Sequence, residues 1–236
     1  MKNKYVIRAR ISERIFRSVW RLFCLDIEAA KAAVMTSLSR NCIEKIFVAV
    51  RHRLSLLCAS ERKLSTGVYE FDENYFGAYR IRGVRGRGAQ GKTIVFGILK
   101  RSGNVNAFIV NECSEKTLMP IIKQVIALDS TIYTDGFTTY CALGKHGYQK
   151  HFSVNHDNNE FARNGVIHTN GIEGFGGFCK ARLAKFRGMS KRHFELHLNE
   201  CEYRYNHRHE DIHLVLINEF RKIILSCHDP IQKLGD

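Results

Sequence analysis

Three carboxylates in the sequence have positions that suit divalent-metal chemistry. Asp72 ends a strand-like run that begins at Val68, and Asp135 follows a second such run, 63 residues later (135 − 72). Glu173 comes 38 residues after Asp135 (173 − 135), near the start of a predicted helix. Carboxylate oxygens are the ligands that Mg²⁺ prefers, and two such ions about 3.5–4 Å apart promote phosphodiester chemistry. We expect two Mg²⁺ ions, replaceable by Mn²⁺, with Asp72 bridging both, Asp135 completing one shell and Glu173 the other.

Two polar residues near Glu173 suit the same chemistry. Lys180 lies seven residues later (180 − 173), which on a helix is about two turns along the same face, so it would meet a phosphate backbone beside the metals. Asn170 lies three residues before Glu173 on that face and is an alternative third site residue. We favour Glu173 because a carboxylate neutralises a second metal, and we expect Asn170 to orient water or a phosphate.

The elements that must position these residues alternate between strand and helix patterns. Period-two or apolar runs predict strands at 68–72, 93–99, 105–110, 131–134 and about 151–154. Apolar residues at steps of three and four predict helices at 118–126, 168–186, 191–207 and 210–226. Three strands, a helix, a strand, a helical stretch, a strand and then helices is the order of a ribonuclease H-like fold. We therefore predict an α/β domain at 67–230, with a mixed sheet flanked by helices.

Residues 1–66 are predicted to form a small all-helical domain. A short helix capped by Asp26, a turn of about four residues, and a longer helix capped by Ser37 or Ser39 make a helix-turn-helix pattern. The start of the longer helix would read base edges in the major groove. The residues expected on that exposed basic surface are Arg40, Asn41, Glu44, Lys45, Arg51, His52 and Arg53. The alternative is a plain helical bundle with solvated basic faces.

The charge of the chain indicates a polyanionic partner. The net charge is +14 and the isoelectric point about 9.6, which favours nucleic acid or an anionic membrane surface. No apolar run approaches the ~20 residues that span a bilayer, and the first residues lack an apolar signal segment, so we expect DNA and no membrane. The eight cysteines include no Cys-x-x-Cys pair, which indicates free thiols in the cytoplasm. We expect a location on the nucleoid.

A glycine-rich basic run joins the first two predicted strands. Glycines let the backbone approach a phosphate, while arginines supply bidentate contacts. The run is predicted to grip DNA, and its basic residues are Arg80, Arg82, Arg85, Arg87 and Lys92. A solvated basic hairpin is the alternative. His168, near the predicted catalytic helix, is a further candidate for contact with a phosphate.

Several blocks of this sequence resemble the transposases of the ISXO2-like group of bacterial insertion sequences. The blocks are 71–77, 85–100, 132–135, 154–156, 168–173 with Lys180, and 201–206, and the similarity extends from about 68 to 207. The resemblance implies a ribonuclease H-like core with a DDE motif at Asp72, Asp135 and Glu173. It also implies metal-dependent cleavage and transfer of DNA strands at terminal inverted repeats and target DNA. A homodimer is expected, because transposition joins two element ends.

Two departures from the group's pattern leave alternatives open. Ala78 stands where a second glycine is usual, and Gly176 stands where a tryptophan is usual in the helix that carries Glu173. Each glycine in a helix interior costs about 0.5–1 kcal/mol relative to alanine. A catalytically decayed or domesticated DNA-binding protein of the same fold is therefore one alternative. A ribonuclease H-like nuclease is another, and the charge disfavours a glycosidase.

Overall fold

The structure is a computed structural model that describes residues 3, 5, 11–77, 92–153, 168–186, 189 and 191–222 of the 236-residue chain. Its helices, in chain order, are α1 (Glu13–Cys24), α2 (Ala29–Thr36), α3 (Arg40–Glu61), α4 (Glu115–Val125), α5 (Asn170–Leu183), α6 (Lys191–Asn206) and α7 (Ile212–Lys222). Its strands are β1 (Val68–Phe76), β2 (Thr93–Lys100), β3 (Val105–Val110), β4 (Thr131–Thr134) and β5 (Lys150–Ser153). Short 3₁₀ helices follow β4 at Thr138–Ala142 and Gly144–His146. By their contacts the residues form two units, Met1–Leu57 with His207–Asp236, and Cys58–Asn206.

The first unit is helical. Ser12 caps α1, where its Oγ accepts a hydrogen bond from Ile15 N (3.3 Å). Ser39 caps α3 as predicted, because its Oγ accepts from Cys42 N (3.2 Å). The prediction that Asp26 caps α2 is wrong, since α2 is preceded by Glu28 and Asp26 has a left-handed backbone with φ of 57°.

The C-terminal helix α7 belongs by contact to this helical unit. The rings of Trp20 in α1 and Phe220 in α7 meet edge to face, with centroids 4.7 Å apart. The functional boundary between residues 66 and 67 stays a prediction.

The second unit is built on a mixed sheet of order β3-β2-β1-β4-β5. β2 pairs antiparallel with both β1 and β3, while β4 pairs parallel with both β1 and β5. Strands β2 and β3 follow each other as the predicted hairpin, and α4 connects β3 to β4. This confirms the α/β class, and the arrangement is consistent with a ribonuclease H-like fold.

The central strands of the sheet are covered on both faces. Because successive side chains of a strand point to opposite faces, the apolar run of β2 serves two cores. Phe96 and Ile98 pack with α4 on one face, and Val95 and Leu99 pack with α5 and α6 on the other. Burying a side chain of this size contributes about 1.5–3 kcal/mol. The two cores fix the positions of β1 and α5, which carry the predicted site residues.

Candidate active site

Three carboxylates from two neighbouring strands lie together in the sheet unit. Asp72 and Glu73 belong to β1, and Asp135 directly follows β4. One carboxylate oxygen from each lies within 4.8 Å of the other two. All three side chains are partly buried. The structure therefore brings together two of the three carboxylates expected from the sequence, and it adds Glu73.

The register of the parallel pair β1–β4 aligns the two aspartates. Val68 pairs with Thr131, an offset of 63 residues (131 − 68), and Asp72 and Asp135 are separated by the same 63 residues (135 − 72). The last pair of this register is Glu70 with Tyr133. If the register is extended by two residues, Asp72 stands opposite Asp135.

Strand β1 is longer than predicted. It runs to Phe76, so Asp72 lies inside the strand and not at its end, and it pairs with Gly97 of β2 on its other side. Consecutive strand residues point to opposite faces, so strand alternation alone does not place Glu73 beside Asp72. The described pairing with β4 stops at Glu70. Beyond that point Asp72 and Glu73, although consecutive, each have a carboxylate oxygen within 4.8 Å of one on Asp135.

Burial and the repulsion of neighbouring carboxylates raise the pKa values of Asp72 and Glu73. The pKa of Asp72 is raised to about 6, first by burial and then by the charges of Asp135 and Glu173. The pKa of Glu73 is raised to about 7, again mainly by burial, while a hydrogen bond from Tyr140 opposes the rise. A cation bound between these groups would relieve the repulsion, so that cations and protons compete for the site.

Each carboxylate in the cluster accepts a hydrogen bond that orients it. Asn74, which is buried, donates from Nδ2 to Asp72 Oδ2 (3.1 Å). The buried hydroxyl of Tyr140 donates to Glu73 Oε1. The backbone N–H of Phe137 donates to Asp135 Oδ1 (3.1 Å). Neither Asn74 nor Tyr140 was predicted as a site residue, although Asn74 lies within the motif 71–77.

The third predicted carboxylate, Glu173, lies in the first turn of α5. Its Oε1 accepts from Thr169 Oγ1 (2.7 Å), and its charge contributes to the raised pKa of Asp72. Among the described residues it is not part of the group of carboxylates within 4.8 Å of one another. Asn170 and Lys180 are exposed on the same helix. Glu173 thus lies close enough for its negative charge to help raise the pKa of Asp72.

A buried carboxylate of β1 anchors the start of α5. Glu70 accepts from the backbone N–H of Ile172 (3.0 Å) and from Arg101 Nε (2.7 Å), so it satisfies one of the helix's unpaired N-terminal donors. Arg101 also donates to the carbonyl of His168 (2.6 Å), and Nδ1 of His168 lies 3.4 Å from Glu70 Oε1. His168, predicted to contact DNA, is therefore a half-buried member of this anchor. Because the anchor is buried on β1, it sets where α5 presents Glu173.

Two glycines of α5 let the helix approach β1 closely. A Cβ at Gly176 would lie 2.6 Å from Nδ2 of Asn74, and one at Gly171 would lie 2.8 Å from Oε2 of Glu70. Both distances are too short for real contacts, so each glycine makes room for a side chain that holds the site. The glycine that replaces the expected tryptophan therefore has a specific packing role.

The donor set of the cluster fits a hard divalent cation. Three carboxylates offer only oxygen atoms, which Mg²⁺ and Mn²⁺ prefer over the nitrogen and sulfur ligands of zinc sites. The shared 4.8 Å spacing lets the three oxygens converge on one ion. Burial is the main cause of the raised pKa values of Asp72 and Glu73, and the charge of Asp135 adds to both. Asp72, Glu73 and Asp135 are thus the residues that could hold a metal.

The segment that carries the site is similar in sequence to known proteins. Residues 64–206 match the family described as the ISXO2-like transposase domain. A Haemophilus influenzae protein named "Uncharacterized transposase-like protein" is 41% identical over 102 residues, which is 43% of this chain and 80% of that protein. The chain belongs to the ISXO2-like transposase family. The matched segment contains β1, β4 and α5, and hence every carboxylate discussed above.

Family membership bears on the expected partner and cofactor. Transposases act on DNA, which supports the DNA partner predicted from the charge of +14. DDE transposases generally use divalent metals, and this transposase has an acidic cluster with suitable ligands. No helix among the described residues has the length and apolarity needed to cross a membrane.

The predicted DNA-reading surface of the transposase is only partly exposed. Arg40, Asn41 and Lys45 are exposed at the start of α3, and Arg40 Nε contacts Glu44 Oε1 (2.6 Å). The prediction that Arg51 is exposed is wrong: it is 7% exposed. Its guanidinium lies over the rings of Phe23 and Phe47, 5.6 and 5.7 Å from their centroids. Arg51 thus stabilises the helical core.

The predicted basic loop lies mostly outside the described residues. Lys92 is described, is exposed, and has its Nζ 5.9 Å from the centroid of the Tyr75 ring. The others, Arg80, Arg82, Arg85 and Arg87, are not described, nor is the motif at 154–156.

Proposed function

We propose that this protein is an active DDE-type transposase that cleaves DNA at the terminal inverted repeats of an insertion sequence and transfers the strands to target DNA. The observation that carries the proposal is the meeting of Asp72, Glu73 and Asp135 within 4.8 Å inside the family domain at 64–206. A partly buried group of acids on β1 and just after β4 has no stabilising value by itself, since its members repel each other. Its value lies in binding cations.

Asp72, Glu73 and Asp135 would hold the metal, with Glu173 near enough to take part in a second site. Two Mg²⁺ or Mn²⁺ ions, when bound, supply activation of the attacking oxygen and stabilisation of the leaving oxygen. Asn74 and Tyr140 keep the carboxylates of Asp72 and Glu73 oriented.

Two exposed residues of α5 complete the proposed site. Asn170, in the first turn of the helix, orients water or a phosphate. Lys180 binds the DNA backbone as a point charge. Both side chains are exposed and are therefore accessible to a bound DNA strand.

DNA recognition is assigned to two basic surfaces. The helical region 1–66 reads the terminal repeats with Arg40, Asn41 and Lys45, which are exposed at the start of α3. Lys92 and the preceding arginine-rich run grip the backbone. A homodimer joins the two element ends, and the protein works where its DNA substrate lies, on the nucleoid.

The test is cleavage of a supercoiled plasmid that carries the DNA flanking the coding region on both sides. Wild-type protein with Mn²⁺ should nick it, while Asp72→Asn and Asp135→Asn should reduce nicking by at least about 10³-fold, the loss expected when a catalytic metal ligand is removed. Glu195→Gln, which neutralises an exposed carboxylate on α6, is the matched control and should nick normally.

Three outcomes would overturn the proposal. Equal nicking by both aspartate variants would show that the active site is elsewhere. Binding of the plasmid ends without any nicking would indicate a DNA-binding protein that has lost its chemistry. Faster cleavage of an RNA–DNA hybrid than of the plasmid would indicate a ribonuclease H-like nuclease.

A further inference from the structure

Two hydroxyl groups converge on the backbone carbonyl of Asp135. Thr134 Oγ1 donates to this oxygen at 2.8 Å, and Ser153 Oγ donates to it at 3.1 Å. Thr134 ends β4 and Ser153 ends β5, and the two residues are the last pair of this parallel ladder. The carboxylate of the same Asp135 belongs to the acidic cluster. The two hydroxyls therefore act on the backbone of a candidate metal ligand.

The backbone at Asp135 depends on these side chains because the sheet pairing has ended. The ladder of β4 with β5 stops at Thr134. At Gly136 a Cβ would meet nothing within 4 Å among the described residues, so packing around that residue does not fix the turn. A carbonyl that is held by two donors fixes the plane of the peptide that follows Asp135. With β4 holding the preceding peptide, the direction of the Asp135 side chain is then set up to its own rotamers.

A histidine of β5 completes the chain of hydrogen bonds. His151 Nε2 lies 2.9 Å from Thr134 Oγ1. A threonine hydroxyl has one proton, and a carbonyl oxygen has none, so the hydroxyl proton of Thr134 must point to the carbonyl of Asp135. The proton between Thr134 and His151 must therefore come from the ring. The geometry thus requires the tautomer of His151 that carries hydrogen on Nε2.

Burial makes the bonds of Thr134 important. Thr134 is fully buried, like Ile132 two residues earlier in β4, so an apolar side chain would suit its position if packing were its only role. Burial lowers the pKa of the half-buried His151, which favours a neutral ring with a single N–H. Ser153 is exposed, so water can replace its hydroxyl more easily than that of Thr134.

We propose that Thr134 and His151 are positioning residues that hold Asp135 in the orientation that binds the metal, with Ser153 as a weaker support. The backbone of Asp135 is held by Thr134, and its Oδ1 accepts from the N–H of Phe137 (3.1 Å), so the ligand is fixed at both ends. Partners that orient a metal ligand in this way increase metal affinity. The inference rests on the proposed function for the role of the metal in DNA cleavage.

The test is calorimetric titration of the full-length protein with Mn²⁺. Thr134→Val keeps the shape of the side chain and removes its hydroxyl, and should weaken Mn²⁺ binding about 10- to 100-fold. Thr134→Ser keeps the hydroxyl and should bind Mn²⁺ nearly as wild type does. His151→Leu should weaken binding about tenfold, and His151→Gln should weaken it less, because an amide N–H can donate in place of Nε2. Thr131→Val, which removes a hydroxyl from the same strand, is the matched control and should not change the affinity.

The Mn²⁺ dependence of plasmid nicking separates positioning from a general loss of structure. In Thr134→Val the Mn²⁺ concentration for half-maximal nicking should rise about 10- to 100-fold. Nicking at saturating Mn²⁺ should approach that of wild type, because every carboxylate is still present. Asp135→Asn should stay inactive at every Mn²⁺ concentration. Far-UV circular dichroism confirms that each variant is folded at the assay temperature.

The tautomer of His151 provides a test that needs neither metal nor DNA. Nitrogen-15 NMR of the metal-free protein near pH 7 distinguishes a protonated ring nitrogen from an unprotonated one. Wild type should carry the ring proton of His151 on Nε2. This result does not depend on whether the protein cleaves DNA.

The inference is overturned if the ring proton of His151 is on Nδ1, or if Thr134→Val binds Mn²⁺ as tightly as Thr131→Val does. It is also overturned if Thr134→Ser binds as weakly as Thr134→Val. Failure of the proposed function gives a different result. Wild type would then bind Mn²⁺ more tightly than Thr134→Val does, and yet it would not nick the plasmid.

Discussion

The side chain of Asn74 occupies the space that Gly176 leaves in helix α5. A Cβ at Gly176 would lie 2.6 Å from Asn74 Nδ2, the same atom that donates to Asp72 Oδ2 (3.1 Å). A glycine that lowers helix propensity thus permits the contact that orients a site carboxylate. The first prediction follows from this contact.

Gly176→Ala should lower the nicking rate about tenfold or more by displacing Asn74 and releasing Asp72. Gly177→Ala is the matched control, because a Cβ there meets nothing within 4 Å. It should stabilise the helix by about 0.5–1 kcal/mol and leave nicking intact. Plasmid nicking and urea unfolding measure the two effects. Equal behaviour of the two variants would contradict the role assigned to Asn74.

The acidic cluster should make the metal-free protein less stable as pH rises from about 4 to about 7. Burial raises the pKa of Asp72 from 3.8 to about 6 and that of Glu73 from 4.5 to about 7. In that window the folded protein therefore binds more protons than the unfolded chain, and the unfolding free energy falls with pH. Thermal unfolding of wild type and Asp72→Asn is measured at several pH values. The difference between the two pH profiles gives the loss of stability that is due to Asp72. Parallel pH profiles for the two proteins would contradict this prediction.

Mn²⁺ should reverse that destabilisation. Because the metal binds the deprotonated carboxylates, it should raise the unfolding temperature of wild type much more at about pH 8 than at about pH 5. Asp135→Asn should remove most of the increase, whereas Glu195→Gln should retain it. An increase that is equal at both pH values would mean that Mn²⁺ binds elsewhere.

Glu73 should prove to be a metal ligand that Tyr140 positions. Tyr140→Phe should weaken Mn²⁺ binding about 10- to 100-fold, because the hydroxyl that orients a ligand is lost. Glu73→Gln should weaken it more, because the ligand itself is lost. Calorimetric titration with Mn²⁺ measures both. Tyr75→Phe, which removes a hydroxyl from a half-exposed side chain of the same strand, serves as the control. Wild-type affinity in Glu73→Gln would leave Glu173 as the third ligand.

Glu70→Gln should destabilise the sheet unit by about 2–4 kcal/mol. The change leaves Arg101 without its carboxylate and weakens the cap on Ile172 N, and loss of one partner of a buried pair is costly. Urea unfolding monitors the loss. Glu115→Gln is the control, since Glu115 is half exposed and its ion pair among the described residues is with His146 at 2.7 Å. A change below about 0.5 kcal/mol, typical of surface substitutions, would contradict the anchoring role.

The sequence by itself determined the elements and two of the carboxylates. The strands at 93–99, 105–110 and 131–134 agree with β2, β3 and β4 within one residue, and the helix predicted at 168–186 contains α5. These elements depend on local periodicity, which one sequence displays directly. Asp72 and Asp135 were also identified from the sequence, because each closes an apolar strand-like run.

Only the tertiary structure decided which side chains meet. The register of β1 with β4 links residues 63 apart (131 − 68), and nothing local specifies it. Glu73 meets Asp72 and Asp135 only in the folded sheet, and strand alternation alone does not predict that consecutive residues meet. The burial of Arg51 and the contact of Asn74 with Gly176 depend likewise on a neighbouring helix or strand. Periodicity shows which face of an element is apolar, whereas packing decides what that face meets.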